Sequence, residues 1–360
     1  MLQPGLLRTR CTADSGALSQ VNGLVCQIQR SCREKVLVTN LDGRYCGVIL
    51  AAGKGTRMLP FSESYPKPLL PVCNKPVVQY QLEIMHDLGI RDVIMLIGHK
   101  GYEIAKTFGD GSRHGVNIRY VEQTTMLGIA HAVRQLEPHV NLPFLLFLGD
   151  IFFKPVNLAQ IFSLFEEQGG GAVLATKEEN DPEAIRKNYA ILLNSEGFAT
   201  RVIEKPRHTT NRLKGVGLYL FDLSIFDAIR RTPRTAMRDE YELTDAIQVL
   251  IGDGFPVRPC ECIAVDINLT TPADLLRCNL LQAESTELFA VTSPGLEKHS
   301  AATLDRCVVG SNVSIRHGIT IKSSVIFAGT TVEESTDLEN FVITPQGLVD
   351  CNHSMRSMTR

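Results

Sequence analysis

No stretch of this 360-residue chain approaches the ~20 consecutive apolar residues that a membrane-spanning helix needs, so no membrane partner is expected. Charge of one sign is equally scarce. A net charge of −2 offers no general attraction to nucleic acid or to an anionic bilayer, and any phosphate must be held by a local site. The ten cysteines form no cluster. Only Cys260 and Cys262 stand close, and Cys-x-Cys suits neither a zinc site nor a redox Cys-x-x-Cys pair. Isolated cysteines are usually small buried hydrophobes, which makes a reducing cytoplasm the expected compartment. Residues 1–43 lack a sustained helical or strand period, and their apolar stretches are too short and too polar for a signal peptide. A disordered extension is expected there.

Two familiar phosphate-binding signatures are also absent. Gly53-Lys54-Gly55-Thr56 lacks the gap and the terminal Gly-Lys-Ser/Thr of a Walker A loop, and Met58 stands where a dinucleotide fingerprint has its third glycine. No Ser-His-Asp arrangement is suggested. His99 and His131 read as ordinary solvent-facing or capping residues.

The chain does hold an unusual stretch at residues 47–70. A short apolar run from Val48 to Leu50 ends in Ala51, Ala52 and Gly53, and Gly55-Thr56-Arg57 follows. Gly53 and Gly55 let the backbone turn with its N–H groups exposed, and consecutive N–H groups in such a turn cradle anionic oxygens. Arg57 adds a planar fork of donors for a phosphate, and Lys67, between Pro66 and Pro68, adds a second cation. The pattern points to a nucleoside triphosphate that is to be attacked. Two aspartates complete the chemistry. Asp150 follows the apolar run Phe147-Leu148-Gly149, and Asp266 follows Ile263-Ala264-Val265, each at a strand end, where α/β sheets hold ligands. Magnesium prefers carboxylate and phosphate oxygens, so the two aspartates could share Mg2+ with a triphosphate, although either alone would be an ordinary cap or turn residue.

Taken together, residues 47–76, with Asn74-Lys75-Pro76 closing the motif, closely resemble the sugar-1-phosphate nucleotidyltransferases. The resemblance extends over roughly residues 45–280. It implies an α/β fold with a doubly wound, Rossmann-like mixed sheet, and a reaction in which an NTP and a sugar-1-phosphate give a nucleotide-sugar and pyrophosphate. It implies nucleotide binding by Leu50, Ala51, Ala52, Gly53, Gly55, Thr56, Gln123 and Gly128, with the Gln123 amide pairing to a pyrimidine edge. Catalysis would fall to Arg57 and Lys67, the metal to Asp150 and Asp266, and the sugar phosphate to Ala190, Glu204 and Lys205. Among family members, Gly128-Ile129-Ala130-His131-Ala132 and Leu148-Gly149-Asp150-Ile151-Phe152-Phe153 look most like glucose-1-phosphate thymidylyltransferases. A uridylyl- or guanylyltransferase is the alternative, and a silent regulatory subunit that binds nucleotide-sugar is a third reading. The chain departs from the family at Ala190, where glycine is usual beside the sugar, and at Asn268-Leu269.

The wider pattern suits this fold. Strands at 45–50, 92–97, 117–122 and 144–148 alternate with helical patterns at 77–88, 101–108 and 128–136, which argues for βα units. Beyond Asp150, short strands at 172–176, 189–193, 201–203 and 215–221 suggest an antiparallel addition. The transferase domain is expected at 44–283 and a linker at 284–298. Further on, Val309, Ile315, Ile321 and Phe327 recur every six residues, as do Val313, Ile319, Val325 and Thr331. That period resembles the hexapeptide repeat of a left-handed parallel β-helix, with alternating surface strands as the other reading. The tail is expected at 299–345, packed on the domain or a neighbouring subunit in a homo-oligomer, with a flexible end at 346–360.

Overall fold

The computed structural model describes residues 41–360 apart from 54, 59–60, 209–211, 237, 286–289 and 359–360. The expected extension at 1–43 lies outside the described residues except at its end. There Leu41 is buried in the core, and its carbonyl accepts the N–H groups of Arg44 and Tyr45. Leu41 therefore belongs to the folded domain.

Cys46–Ala51 (β1), Asp92–Ile97 (β2), Asn117–Glu122 (β3) and Phe144–Leu148 (β4) are parallel, with β1 between β4 and β2. Between them run the helices Val77–Asp87 (α1), before β2, and Ile129–Arg134 (α2), before β4. β1, β2 and β4 are apolar on both faces because both faces are covered, whereas β3, at the sheet edge, is largely polar. Ile49, Leu145 and Phe147 face a core with Val78, Leu82 and Met85 of α1. Val48, Phe144 and Leu146 face a second core with α2 and two later helices.

After β4 the chain turns at Gly149-Asp150 into Ile151–Pro155 (β5) and then changes character. Ala172–Glu178 (β6), Tyr189–Leu193 (β7), Ala199–Glu204 (β8) and Leu213–Phe221 (β9) extend the sheet, with β9 antiparallel to β4, β6 and β7. Ser224–Arg231 (α3) and Leu243–Gly252 (α4) cover the second core, and Val257–Glu261 (β10) pairs with β6. Ile263–Asn268 (β11) leaves the main sheet to form a two-stranded ribbon with β5. Pro272–Glu284 (α5) starts at a capping box in which Thr271 and Asp274 satisfy each other's backbone N–H groups. No described helix is long and apolar enough to cross a membrane.

The tail is a parallel β-helix of three short sheets, and it departs from the expected bounds at both ends. Its first coil begins inside the expected linker, at the strands Ala290–Thr292 and Glu297–Lys298. The expected flexible end instead carries the strand Gly347–Asp350, antiparallel to Phe341–Thr344, and the helix Asn352–Met358. This strand covers an edge that would otherwise present unpaired backbone groups. The period differs too. Thr303 pairs with Thr320, a step of 17 residues rather than three sixes, and Val325 pairs with Val342 in the same step. At one corner of each coil a single left-handed residue, Arg306, Ser323 or Asn340, replaces a longer turn. The shorter coil changes what the six-residue series reaches. Val309, Ile315 and Ile321 fill the tail's interior, but Phe327 points out, into a core shared with Met58, Phe61 and α5. The tail thus packs on the α/β domain.

Candidate active site

A cleft of about 230 Å³ lies at the carboxyl ends of β1, β3 and β4. Leu50, Ala51, Ala52 and Gly53 line it after β1, Gln123 after β3, and Gly128 at the start of α2. Asp150 joins them from the turn after β4, and Lys67 and Pro68 from the loop that follows β1. Much of the nucleotide site read from the sequence is thereby in one place. Met126, Ile129 and Ala132 give the cleft an apolar side.

Lys67 is the best-defined charge here. Pro66 is extended and Pro68 follows directly, so the stem leaves a restricted backbone at the head of a short 3-10 turn. The side chain is only 8% exposed, and Nζ donates to Asp150 Oδ2 at 3.1 Å. Gly55 makes room for it. At φ +66° a Cβ on residue 55 would stand 2.8 Å from Lys67 Cγ, so only glycine suits both the backbone and the lysine. Asp150 itself remains one-third exposed. Its turn is pinned from below by Gln81 of α1, whose Nε2 donates to the carbonyls of Leu148 at 2.8 Å and Ile151 at 2.9 Å.

Gln123 is buried, with Nε2 donating to the Thr125 carbonyl at 3.1 Å. Gly128 sits at φ +101°, where a Cβ would meet the Tyr241 carbonyl at 2.5 Å. Tyr241 donates its N–H to Leu127 and accepts that of Ala130, clamping the entry to α2. His131 stacks on the Tyr241 ring. Burial and then the nearby Arg134 and Arg234 push its pKa down, as suits a neutral packing residue. Arg57 is exposed on the turn Thr56–Met58 and does not line the cleft.

The expected sugar residues do not line this cleft and lie on or just after the β7–β8 hairpin. Ala190 is buried and pairs with Ile203 and with Lys214 of β9. Glu204 accepts from Thr244 Oγ1 at 3.3 Å and lies 3.7 Å from Arg238 and 3.6 Å from Lys205. Burial, and then the Glu242 carboxylate, raise its pKa. Lys205 is held in the left-handed region at φ +42°, its N–H on the Asn188 carbonyl.

The two aspartates expected to share a metal each have a lysine partner instead of a common one. Strand register sets Asp266 opposite Phe153, whereas the Asp150 carbonyl accepts from Leu269, three residues further along β11 and so ~10 Å away along the backbone. The Asp266 carboxylate is 4% exposed, and both its oxygens lie 2.8 Å from Lys214 Nζ. Among the described residues no group of three or more acidic, histidine or cysteine side chains converges as a metal cage. Sequence reasoning missed three residues here. Gln81 had read as part of a helical pattern, and Lys177 and Lys214 fell one residue outside the strands expected at 172–176 and 215–221, which the structure extends over them.

Known proteins bear on this geometry. The nucleotidyl transferase family model matches residues 46–260. A glucose-1-phosphate thymidylyltransferase of Streptomyces griseus is 33% identical over 290 residues, covering 80% of this chain and 79% of that enzyme. A UTP–glucose-1-phosphate uridylyltransferase of Haloferax volcanii is 35% identical over 219 residues, covering 61% and 87%. A UDP-glucose pyrophosphorylase solved with UDP-glucose shares the fold at a TM-score of 0.59 and 22% identity, covering 67% of this chain and 98% of that one.

Proposed function

Because the chain belongs to the nucleotidyl transferase family, and is an enzyme of the sugar nucleotidyltransferase type, we propose that it joins dTTP to glucose-1-phosphate. The observation that carries the reading is Lys67, fixed between two prolines with its ammonium on Asp150 inside the cleft. A phosphate oxygen of the sugar phosphate attacks the α-phosphorus, and the bond from that phosphorus to the bridging oxygen of pyrophosphate breaks. No general base is needed, because the attacking phosphate is already anionic at neutral pH.

The protein's part is positioning and charge neutralisation. Two phosphates must approach, and unit charges 4 Å apart near a protein surface repel by about 4 kcal/mol. The Lys67 ammonium opposes that repulsion at the α-phosphate. Backbone N–H groups from Gly53 to Thr56, with Arg57 reaching in from its exposed turn, hold the leaving pyrophosphate. Gln123 offers its amide to a pyrimidine edge, and the apolar Met126, Ile129 and Ala132 suit a thymine methyl. Glu204 accepts hydrogen bonds from sugar hydroxyls and Lys205 faces the sugar phosphate. Ala190 narrows the sugar site by one methyl relative to glycine.

Enzymes of this family generally use a divalent metal, which neutralises phosphate charge. Mg2+ is proposed here, since one exposed carboxylate such as Asp150, completed by phosphate oxygens and water, suits it. Among the described residues seven cysteines are free, six of them buried, which fits a reducing cytoplasm. Likeness to the uridylyltransferase supports UTP as the second reading. The test crosses dTTP, UTP, GTP, CTP and ATP with several sugar-1-phosphates and reads pyrophosphate release. Greatest kcat/KM with dTTP and glucose-1-phosphate is expected, and no release with any pair would refute the reading.

A further inference from the structure

We infer that Asp266 is the counter-ion of an opposed lysine pair, Lys214 buried and Lys177 partly exposed, and that it leaves the divalent ion of this reaction to Asp150 alone. The argument begins with strand register. Lys214 of β9 stands directly opposite Lys177 of β6. Like charges directly opposite on neighbouring strands repel and destabilise the pair, so this arrangement requires carboxylates between them. Asp266 and Glu179 supply them. Lys214 Nζ lies 2.8 Å from both oxygens of Asp266, and Lys177 Nζ lies 3.5 Å from Oδ1. Glu179 closes the group, 3.1 Å from Lys177 and 3.8 Å from Lys214.

Two ammoniums thus balance two carboxylates. The Lys214 and Asp266 side chains are each 4% exposed. An ion on Asp266 would have to displace the Lys214 ammonium and leave it buried without its partner, which is strongly unfavourable. Asp150 presents the opposite case. It lines the cleft, is one-third exposed, and has Lys67 as its cation at 3.1 Å. One carboxylate with substrate phosphates is enough for a magnesium-type ion. Asp266 is therefore a positioning residue that ties the β5–β11 ribbon to the main sheet through Lys214.

The inference rests on the transfer reading in supposing that a divalent ion is used, so its test has two arms, both on the full chain. The first is thermal unfolding of Asp266→Asn, Lys214→Met and the double variant. Each single variant should lower Tm by roughly 5–10 °C, because it leaves a buried charge unpaired. The double variant should recover most of that loss, since Lys177 and Glu179 remain paired. Independent effects, or an Asp266→Asn chain as stable as the parent, would overturn the inference. The second arm follows Mn2+ uptake in the presence of dTTP by electron paramagnetic resonance. Asp150→Asn should weaken uptake at least tenfold, and Asp266→Asn should stay within twofold of the parent. Equal weakening by both variants, or no uptake by the parent, would overturn the inference. Should Asp266→Asn fail to fold, the charge-balanced double variant carries the second arm. A chain that releases no pyrophosphate, yet shows the stability coupling and binds Mn2+ through Asp150, would refute the transfer reading and leave this inference standing.

Discussion

Replacing Lys67 by methionine isolates the charge on which the proposed chemistry most depends. Methionine keeps most of the apolar stem, so packing against Gly55 and Pro68 changes little, and the loss is the ammonium beside Asp150. The side chain is 8% exposed and its stem starts from a backbone restrained by two prolines, so the cation is already aimed before substrate arrives. A preorganised charge of this kind acts most strongly when negative charge builds in the transition state. Removing one such donor costs on the order of 3 kcal/mol, or about a hundredfold in kcat. Nucleotide affinity should change far less, because the proposed site also gives the phosphates Arg57 and the backbone amides of Gly53, Gly55 and Thr56. Stability should change little as well, since Asp150 is one-third exposed and water can solvate it once its partner is gone. Steady-state kinetics, nucleotide binding by calorimetry and a urea unfolding curve would measure the three quantities. A variant whose binding weakens a hundredfold while kcat holds would show that Lys67 anchors the ground state, and the transition-state argument would be wrong.

Gln81→Met should leave the carbonyls of Leu148 and Ile151 without their donor and lower stability by about 2–4 kcal/mol in urea unfolding, with a fall in kcat as the Asp150 turn loosens. Phe327→Ala should cost about 3–5 kcal/mol. Phe327 stacks on Phe61 and packs edge-on to Tyr65, in the loop that leads to Lys67, so kcat should fall with stability. Glu204→Gln should stabilise the chain at neutral pH, because burial and the Glu242 carboxylate raise the Glu204 pKa and its ionised form opposes folding. That advantage should narrow as pH falls through the raised pKa and vanish below the ordinary value of 4.5; a difference that grows on acidification would contradict the sign.

How far the site could be read in advance depends on how local its causes are. Gly53, Gly55, Pro66, Lys67 and Pro68 act through their own backbone restrictions, so their spacing along the chain already describes a phosphate loop with a fixed lysine. Asp150 is similar, because a buried strand that ends in Gly149-Asp150 delivers its carboxylate to the sheet's ligand edge wherever that strand lies. Asp266 has the same local pattern, an apolar run followed by aspartate, but the pattern is silent on the lysines its carboxylate meets. What decides its role is the face it shares with Lys214 and Lys177, and that is a matter of register between β11, β9 and β6. A slip of one residue would turn every side chain of a strand to the other face, and no local motif encodes that choice. The tail makes the same point through its backbone. Its interior follows the six-residue series only as far as Ile321, because one left-handed residue at a corner shortens each coil to 17 residues. Asn340 is a residue type that tolerates that conformation, but Arg306 and Ser323 carry no such signal. The shortened corner turns Phe327 outward onto Phe61. The residue whose period first marked the repeat thereby helps hold the loop that carries Lys67.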